Sequence, residues 1–169
     1  MDRKPHIIYK LLALAQFPKF VQVYKQSFVE IEGFEPKEKY MGNWMAFVLQ
    51  NINNLNFLFL SAQRGKKVVG ILVVAPMTSF SREKQALVEP MYIIPEYKQY
   101  SFIAVTMVET AVRWMQKKGY ETVFVFENPD SDKWEKKTQF ANFKFWKKLL
   151  KMEIPKEQKD NDKEGNSRG

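Results

Sequence analysis

The chain has 169 residues, one domain's worth, and 45% of them are hydrophobic, enough for a core; 27 Lys+Arg against 19 Asp+Glu leave a formal charge of +8. Zero Cys excludes a disulfide framework, a thiolate nucleophile and any cysteine metal site, and a single His, His6, excludes a histidine-rich one, so no metal is expected. The positive charge implies an anionic partner, either a nucleic acid or a phosphorylated cofactor, and composition does not choose between them.

Residues 6–13 (HIIYKLLA) read as a first strand. Pro18 suits the first turn of a helix running to about Glu32, because its missing N–H is unpaired there anyway. Phe20, Val21, Tyr24, Phe28 and Ile31 recur at three- and four-residue steps, which predicts one apolar face, and Gly33 is the stop. Pro36 opens a second helix with Tyr40, Trp44, Phe47, Val48 and Ile52 as its stripe. Residues 54–63 (NLNFLFLSAQ) and 66–77 (KKVVGILVVAPM) are strands joined at Arg64-Gly65 into an antiparallel hairpin. A polar connection over 78–84 leads to a strand at 85–94 (QALVEPMYII), where Pro90 has no N–H for a ladder and marks a bulge or break.

A helix over 101–118 follows, with Ile103, Ala104, Met107, Val108, Ala111, Val112 and Met115 as its apolar set. Ser101 is its expected N-cap, Lys117 and Lys118 suit its C-terminal dipole, and Gly119 ends it. Residues 121–127 (ETVFVFE) alternate as a strand, so 85–127 forms a βαβ unit with parallel pairing. A short helix through about Thr138 comes next. Residues 142–151 fit a strand, although Phe143, Trp146 and Leu150 also fit helical spacing; strand is the reading taken. Residues 155–169 contain nothing aromatic or aliphatic and are expected to be a disordered tail behind a single domain at 1–154. No run approaches a membrane span and the start does not read as a cleavable signal, so a cytoplasmic location is expected.

The informative junction is 91–104 (MYIIPEYKQYSFIA), where an interrupted strand runs into the start of an amphipathic helix. A helix N-terminus offers unpaired N–H groups and partial positive charge, a natural pyrophosphate seat. A strand splaying from its neighbour beside that seat leaves backbone groups for an extended ligand arm. At these residues the sequence resembles the GNAT superfamily of acyl-CoA-dependent N-acyltransferases. The resemblance covers most of residues 6–151 in the order strand, two helices, hairpin, strand, long helix, strand. It includes KKVVGILVV, similar to the family's k-x-V-G-x-l strand. It also includes Met91-Tyr92-Ile93-Ile94-Pro95-Glu96-Tyr97-Lys98, similar to the family's l-y-V-x-P-e-y-R approach to the cofactor.

The resemblance implies an α/β (α+β) fold: a mixed, mostly antiparallel central sheet with helices on both faces and a splayed strand pair. It implies acetyl-CoA as co-substrate and an N-acetyltransferase in which a primary amine attacks the thioester within a ternary complex. Backbone groups of Ile93 and Ile94 would hold the pantetheine arm, with the Ile93 N–H polarising the thioester carbonyl. The family's phosphate loop, Gln/Arg-x-x-Gly-x-Gly/Ala, aligns with Lys98-Gln99-Tyr100-Ser101-Phe102-Ile103, with Ala104 following. Lys98 keeps the cation and Ser101 is small, but Ile103 is bulky where the family has almost no side chain. The expectation is a phosphate seat that survives through its backbone, with Ile103 crowding the pyrophosphate. Glu89 is the candidate base, directly or through water, its pKa raised by Val88, Pro90 and Met91; the alternative is a solvated strand carboxylate. The tyrosine that often serves these enzymes as acid has no counterpart, since no Tyr follows Tyr120.

Trp44, Phe47, Phe57 and Phe59 read as core rather than acceptor pocket. Between 133 and 151, Lys133, Lys136, Lys137, Lys144, Lys147, Lys148 and Lys151 face one acid, Glu135, with Trp134, Phe140, Phe143, Phe145 and Trp146 interleaved. That mixture suits nucleic acid, and it equally suits a lysine-edged outer strand. It carries the alternative reading of an inactive protein of the same fold that binds nucleic acid or an acidic partner. The small size and Lys/Asn/Phe-rich composition resemble the divergent members that phages encode. The oligomeric state stays open, with a dimer among the options.

Overall fold

The structure, a computed structural model, describes residues 5–77 and 84–125. Strand β1 (Ile8–Leu11) leads through a 3-10 turn (Leu14–Gln16) into helix α1 (Phe17–Glu32), and α2 (Glu38–Asn51) follows. The hairpin is β2 (Leu58–Arg64) and β3 (Lys67–Met77). Then come β4 (Gln85–Ile93), a 3-10 turn (Pro95–Tyr97), α3 (Ser101–Lys117) and β5 (Thr122–Val125). The sheet order is β1-β2-β3-β4-β5, antiparallel except for the parallel β4–β5 pair that the βαβ reading requires.

Strand alternation sorts the helices between the faces. A Cβ built on Gly70 would meet Met107 of α3, so Gly70 and its register partners Ala62 and Ile93 face α3. Tyr92, one residue out of phase, hydrogen-bonds Glu30 of α1 and so faces the other side. Helices therefore cover both faces, and β3 is buried without interruption from Val68 to Val74, as a two-sided strand must be. At the β3–β4 ladder, Leu72 pairs with Met91 but Val74 with Val88, so β4 carries one extra residue. The bulge falls at Glu89 and Pro90, where the missing proline N–H predicts it, and the peptide between them is cis.

Several boundaries differ from the sequence expectation for local reasons. β2 starts at Leu58 rather than 54 because Asn54 folds the approach into a turn, its Oδ1 accepting the Asn56 N–H at 3.0 Å and its carbonyl the Phe57 N–H at 3.0 Å. The buried face of α1 is Phe20, Val23, Tyr24 and Ser27, rotated from the predicted stripe. Ser27 is tolerated there because its hydroxyl donates to the Tyr24 carbonyl at 2.7 Å. Phe28 instead meets Phe34 and Tyr40 at the α1–α2 corner, and Ile31 is exposed. Gly33 does end α1, at φ 78°, its N–H on the Val29 carbonyl at 2.9 Å. Ser101 is not the N-cap of α3: the cap position is Tyr100, with no side-chain bond, because the turn closes first through Tyr100 N–H on the Tyr97 carbonyl. The connection at 78–83, the strand, tail and basic segment expected beyond residue 125, and the domain's end at 154 lie outside the described residues. Among those described, no helix is long and apolar enough to cross a membrane, and no group of three His, Cys, Asp or Glu is placed to hold a metal.

Candidate active site

The backbone of β4 divides its hydrogen-bonding groups between its two edges. Ile94 sends its N–H to the Val69 carbonyl of β3 at 3.0 Å, and its own carbonyl accepts the Tyr97 N–H at 2.9 Å. Ile93, one residue earlier, therefore directs its N–H and carbonyl to the opposite edge, toward β5. Among the described residues, β4–β5 pairing runs only from Gln85–Thr122 to Val88–Val125. Past the bulge, that edge of β4 has no partner strand among them. Of the two predicted backbone holders, Ile93 thus faces the edge that has no partner strand among the described residues, and Ile94 is committed to the sheet and the turn. The expected splay of β4 from its neighbour lies outside the described residues.

The chain then turns into α3. Lys98 N–H bonds the Pro95 carbonyl at 3.1 Å and Ile103 N–H the Tyr100 carbonyl at 3.0 Å, while Ser101 and Phe102 supply the first N–H groups of the helix, which no helical carbonyl can reach. Gln99 and Ser101 are exposed, and Tyr100, Phe102 and Ala104 half-buried. Ile103 is fully buried in the core. Its side chain therefore belongs to the core under α3 and not to the exposed surface of the helix start.

A side-chain network on the α1 face joins this turn to α1. The Tyr92 hydroxyl donates to Glu30 Oε2 at 2.6 Å, and the Lys98 ammonium pairs with Glu30 Oε1. Lys98 also stands 5.4 Å from the Tyr92 ring centroid. Burial pushes the Glu30 carboxyl up, but the bonds from Lys98 and Tyr92 outweigh it and bring it below its ordinary value. Burial, then the Glu30 carboxylate, push the Tyr92 phenol up. Lys98, read from the sequence as a phosphate contact, is thus engaged by α1. Glu30 was not visible as a site residue, since it lies 62 residues from Tyr92 and 68 from Lys98.

Glu89 stands on the bulge, open to solvent, yet surrounded closely enough that burial, followed by the charge of Glu32, raises its pKa. Its charge is also among the influences pushing the Tyr24 phenol up, which places it toward the α1–α2 side. There Tyr24 stacks on Trp44 at 3.5 Å between ring centroids and hydrogen-bonds the Tyr40 hydroxyl at 2.7 Å. Phe47, Phe57 and Phe59 pack on one another beside them, with Phe59 buried in the core. Glu96, by contrast, is an exposed partner of Lys67 at 3.5 Å.

No family model and no curated protein matches the chain, but solved structures do. A predicted acetyltransferase with acetyl-CoA from Clostridium acetobutylicum superposes with a TM-score of 0.71 at 15% identity, over 86% of this chain and 96% of that one. An aminoglycoside acetyltransferase from an uncultured soil metagenomic sample, in complex with sisomicin, gives 0.65 at 17%, over 88% and 95%. Glucosamine-6-phosphate N-acetyltransferase from Arabidopsis thaliana gives 0.65 at 11%, over 89% and 98%. The chain shares the fold of these acetyltransferases, the GNAT-like fold that its element order implies.

Proposed function

We propose that the protein is an N-acetyltransferase that transfers an acetyl group from acetyl-CoA to a primary amine of a small molecule. The observation that carries this reading is the junction itself: a bulge at Glu89-Pro90, then an Ile93 N–H turned to an edge of β4 without a described partner, then a helix start with unpaired N–H groups. These groups fit the co-substrate. Ile93 would hold the pantetheine arm, and the Ser101 and Phe102 amides would take the pyrophosphate, whose approach the inward-facing Ile103 leaves open. When bound, acetyl-CoA would supply an acetyl thioester, whose C–S bond breaks as the C–N bond to the amine forms, CoA leaving as a thiolate that takes its proton from solvent.

The Ile93 N–H donates toward the carbonyl oxygen and stabilises the negative charge that grows on it as the amine nitrogen attacks. Glu89 accepts the proton the nitrogen sheds, directly or through water; its raised pKa brings it nearer the range in which a base works well at neutral pH. The amine enters from the α1–α2 side, where Glu32 adds a second negative charge that favours a cationic acceptor. Fixing both reactants in one site supplies the remaining rate advantage. The Lys98–Glu30 pair is partly exposed, worth about 0–1 kcal/mol, so an incoming phosphate can compete for Lys98. That the first two similar structures are acetyltransferases, one with acetyl-CoA and one with an aminoglycoside, supports the reading.

The test is binding first and turnover second. Acetyl-CoA should raise the melting temperature, Lys98→Glu and Ser101→Trp should blunt that shift, and purified protein should carry CoA in its mass or absorbance spectrum. Thiol release with a panel of primary amines then identifies the acceptor. A melting temperature unmoved by millimolar acetyl-CoA refutes the proposal.

A further inference from the structure

An open cleft of about 520 Å³ lies between the first half of α1 and the hairpin end of β3, on the face opposite α3. Lys19, Gln22 and Gln26 reach it from α1, Lys66 and Lys67 from the hairpin, and Glu96 from the turn before α3. The proposed transfer uses none of these residues. Three lysines face one carboxylate, so the cleft carries net positive charge. The lysines also keep free donors. Lys19 Nζ gives one hydrogen bond, to the Lys66 carbonyl at 2.9 Å, and two N–H groups remain. Lys66 has no carboxylate partner among the described residues. Lys67 reaches Glu96 only at 3.5 Å, with both side chains exposed, a pair that a competing dianion can open. The Gln22 and Gln26 amides add neutral donors beside these charges.

The direction in which the cleft runs narrows the ligand. Lys19, Gln22, Gln26 and Glu30 follow one another at three- and four-residue steps, so they share one side of α1. From Lys19 to Glu30 the helix rises roughly 16 Å, at about 1.5 Å per residue. Glu30 is held by Tyr92 and Lys98 at the β4 end, and Glu32 and Glu89 lie beyond it. One end of this line is cationic and the other carries carboxylates.

We propose that the lysine end is a binding site for a phosphate monoester. Two sources share that chemistry: a phosphorylated amine acceptor, with its amine at the carboxylate end, and the 3′-phosphate of CoA. The site does not depend on acetyl transfer, whereas its assignment to either source rests on the function proposed above.

The experiment uses the full chain and the Lys19→Gln/Lys66→Gln double variant. Inorganic phosphate, titrated at constant ionic strength and followed by amide NMR shifts, should bind saturably. The double variant should weaken it about fivefold or more, at an unchanged ligand-free melting temperature. Saturable binding that the double variant leaves intact, or no saturable binding at all, overturns the proposal. CoA and 3′-dephospho-CoA, and glucosamine 6-phosphate and glucosamine, then separate the sources. An affinity loss in the variant confined to CoA assigns the site to the cofactor, and one confined to the phosphorylated amine assigns it to the acceptor; either supports the proposal. Phosphate binding that survives while acetyl-CoA fails to bind upholds the cleft and refutes the acetyltransferase reading.

Discussion

Replacing Ile103 by Ala separates two accounts of the same residue. The sequence alignment makes Ile103 an obstruction at the phosphate loop, and that account predicts that Ala, the family's kind of residue, tightens acetyl-CoA binding. The structure makes it core: its exposure is 0%, as is that of Met107 one turn along the same helix face. Truncating a buried Ile to Ala costs about 2–5 kcal/mol, part lost transfer energy and part cavity. A value of about 3 kcal/mol suits a site under a helix that the sheet holds in place. At about 2–4 °C per kcal/mol for a chain of this size, the melting temperature falls by roughly 6–12 °C. Acetyl-CoA affinity, by calorimetric titration below the lowered midpoint, stays within about twofold or weakens, because the helix start loses packing and gains no room. A variant that binds acetyl-CoA about tenfold more tightly and melts within about 2 °C of the parent refutes the inward placement of Ile103.

Three other changes probe the surrounding parts. In Gly70→Val the first carbon of the side chain meets Met107 Sδ at 3.1 Å and the Tyr92 carbonyl at 3.3 Å, so overpacking of about 1–3 kcal/mol is expected. Adding Met107→Ala should return part of it in a thermal double-mutant cycle, and strictly additive losses exclude the contact. Tyr92→Phe removes the 2.6 Å bond to Glu30, costing about 1 kcal/mol at so exposed a carboxylate. Glu30 titrates below its ordinary 4.5 in the fold, so its stabilisation is complete above pH 4.5 and lost as pH falls through its lowered value. Urea midpoints between pH 3 and 7 should therefore fall less steeply in the Phe variant. Glu89→Gln should cut turnover about 10²–10⁴-fold with acetyl-CoA binding retained. Glu89 is raised above 4.5, so its contribution to stability is greatest below 4.5 and declines as pH rises through its raised value. Glu32→Gln removes the like charge and should move the acidic limb of the rate profile to lower pH.

The elements that strong periodicity defines were legible without coordinates. The runs at 54–63 and 66–77 predict the β2–β3 hairpin, and Pro90 predicts the interruption of β4, because neither depends on a distant partner. What failed was long-range information. The face of α1 cannot be chosen from Phe20, Tyr24 and Phe28 alone, because α2 competes with the sheet for those rings and takes Phe28 into the corner with Phe34 and Tyr40. Glu30 reads as an ordinary solvent-facing carboxylate until β4 brings Tyr92 beneath it. Ser101 reads as a cap because serine caps helices, but the preceding 3-10 turn hands that place to Tyr100.

The departure at Ile103 and the motif match at Gly70 are two sides of one packing problem. Gly70 pairs in register with Ala62 on β2 and Ile93 on β4, and all three face α3. Two adjacent strands thus offer a floor with almost no side chain, and Met107 comes close enough to touch a Cβ that Gly70 does not have. A helix lying on so low a floor needs large side chains to fill the gap, and Ile103 and Met107, one turn apart and both without exposure, supply them. A glycine at 103 would leave that volume empty on the core side. To the proposed phosphate seat it would add nothing, because the Ser101 and Phe102 amides belong to the backbone. The side-chain rule of the phosphate loop and the core volume under α3 are therefore coupled through residue 103. In this chain the core sets that residue, and the backbone amides proposed as the anion seat do not depend on it.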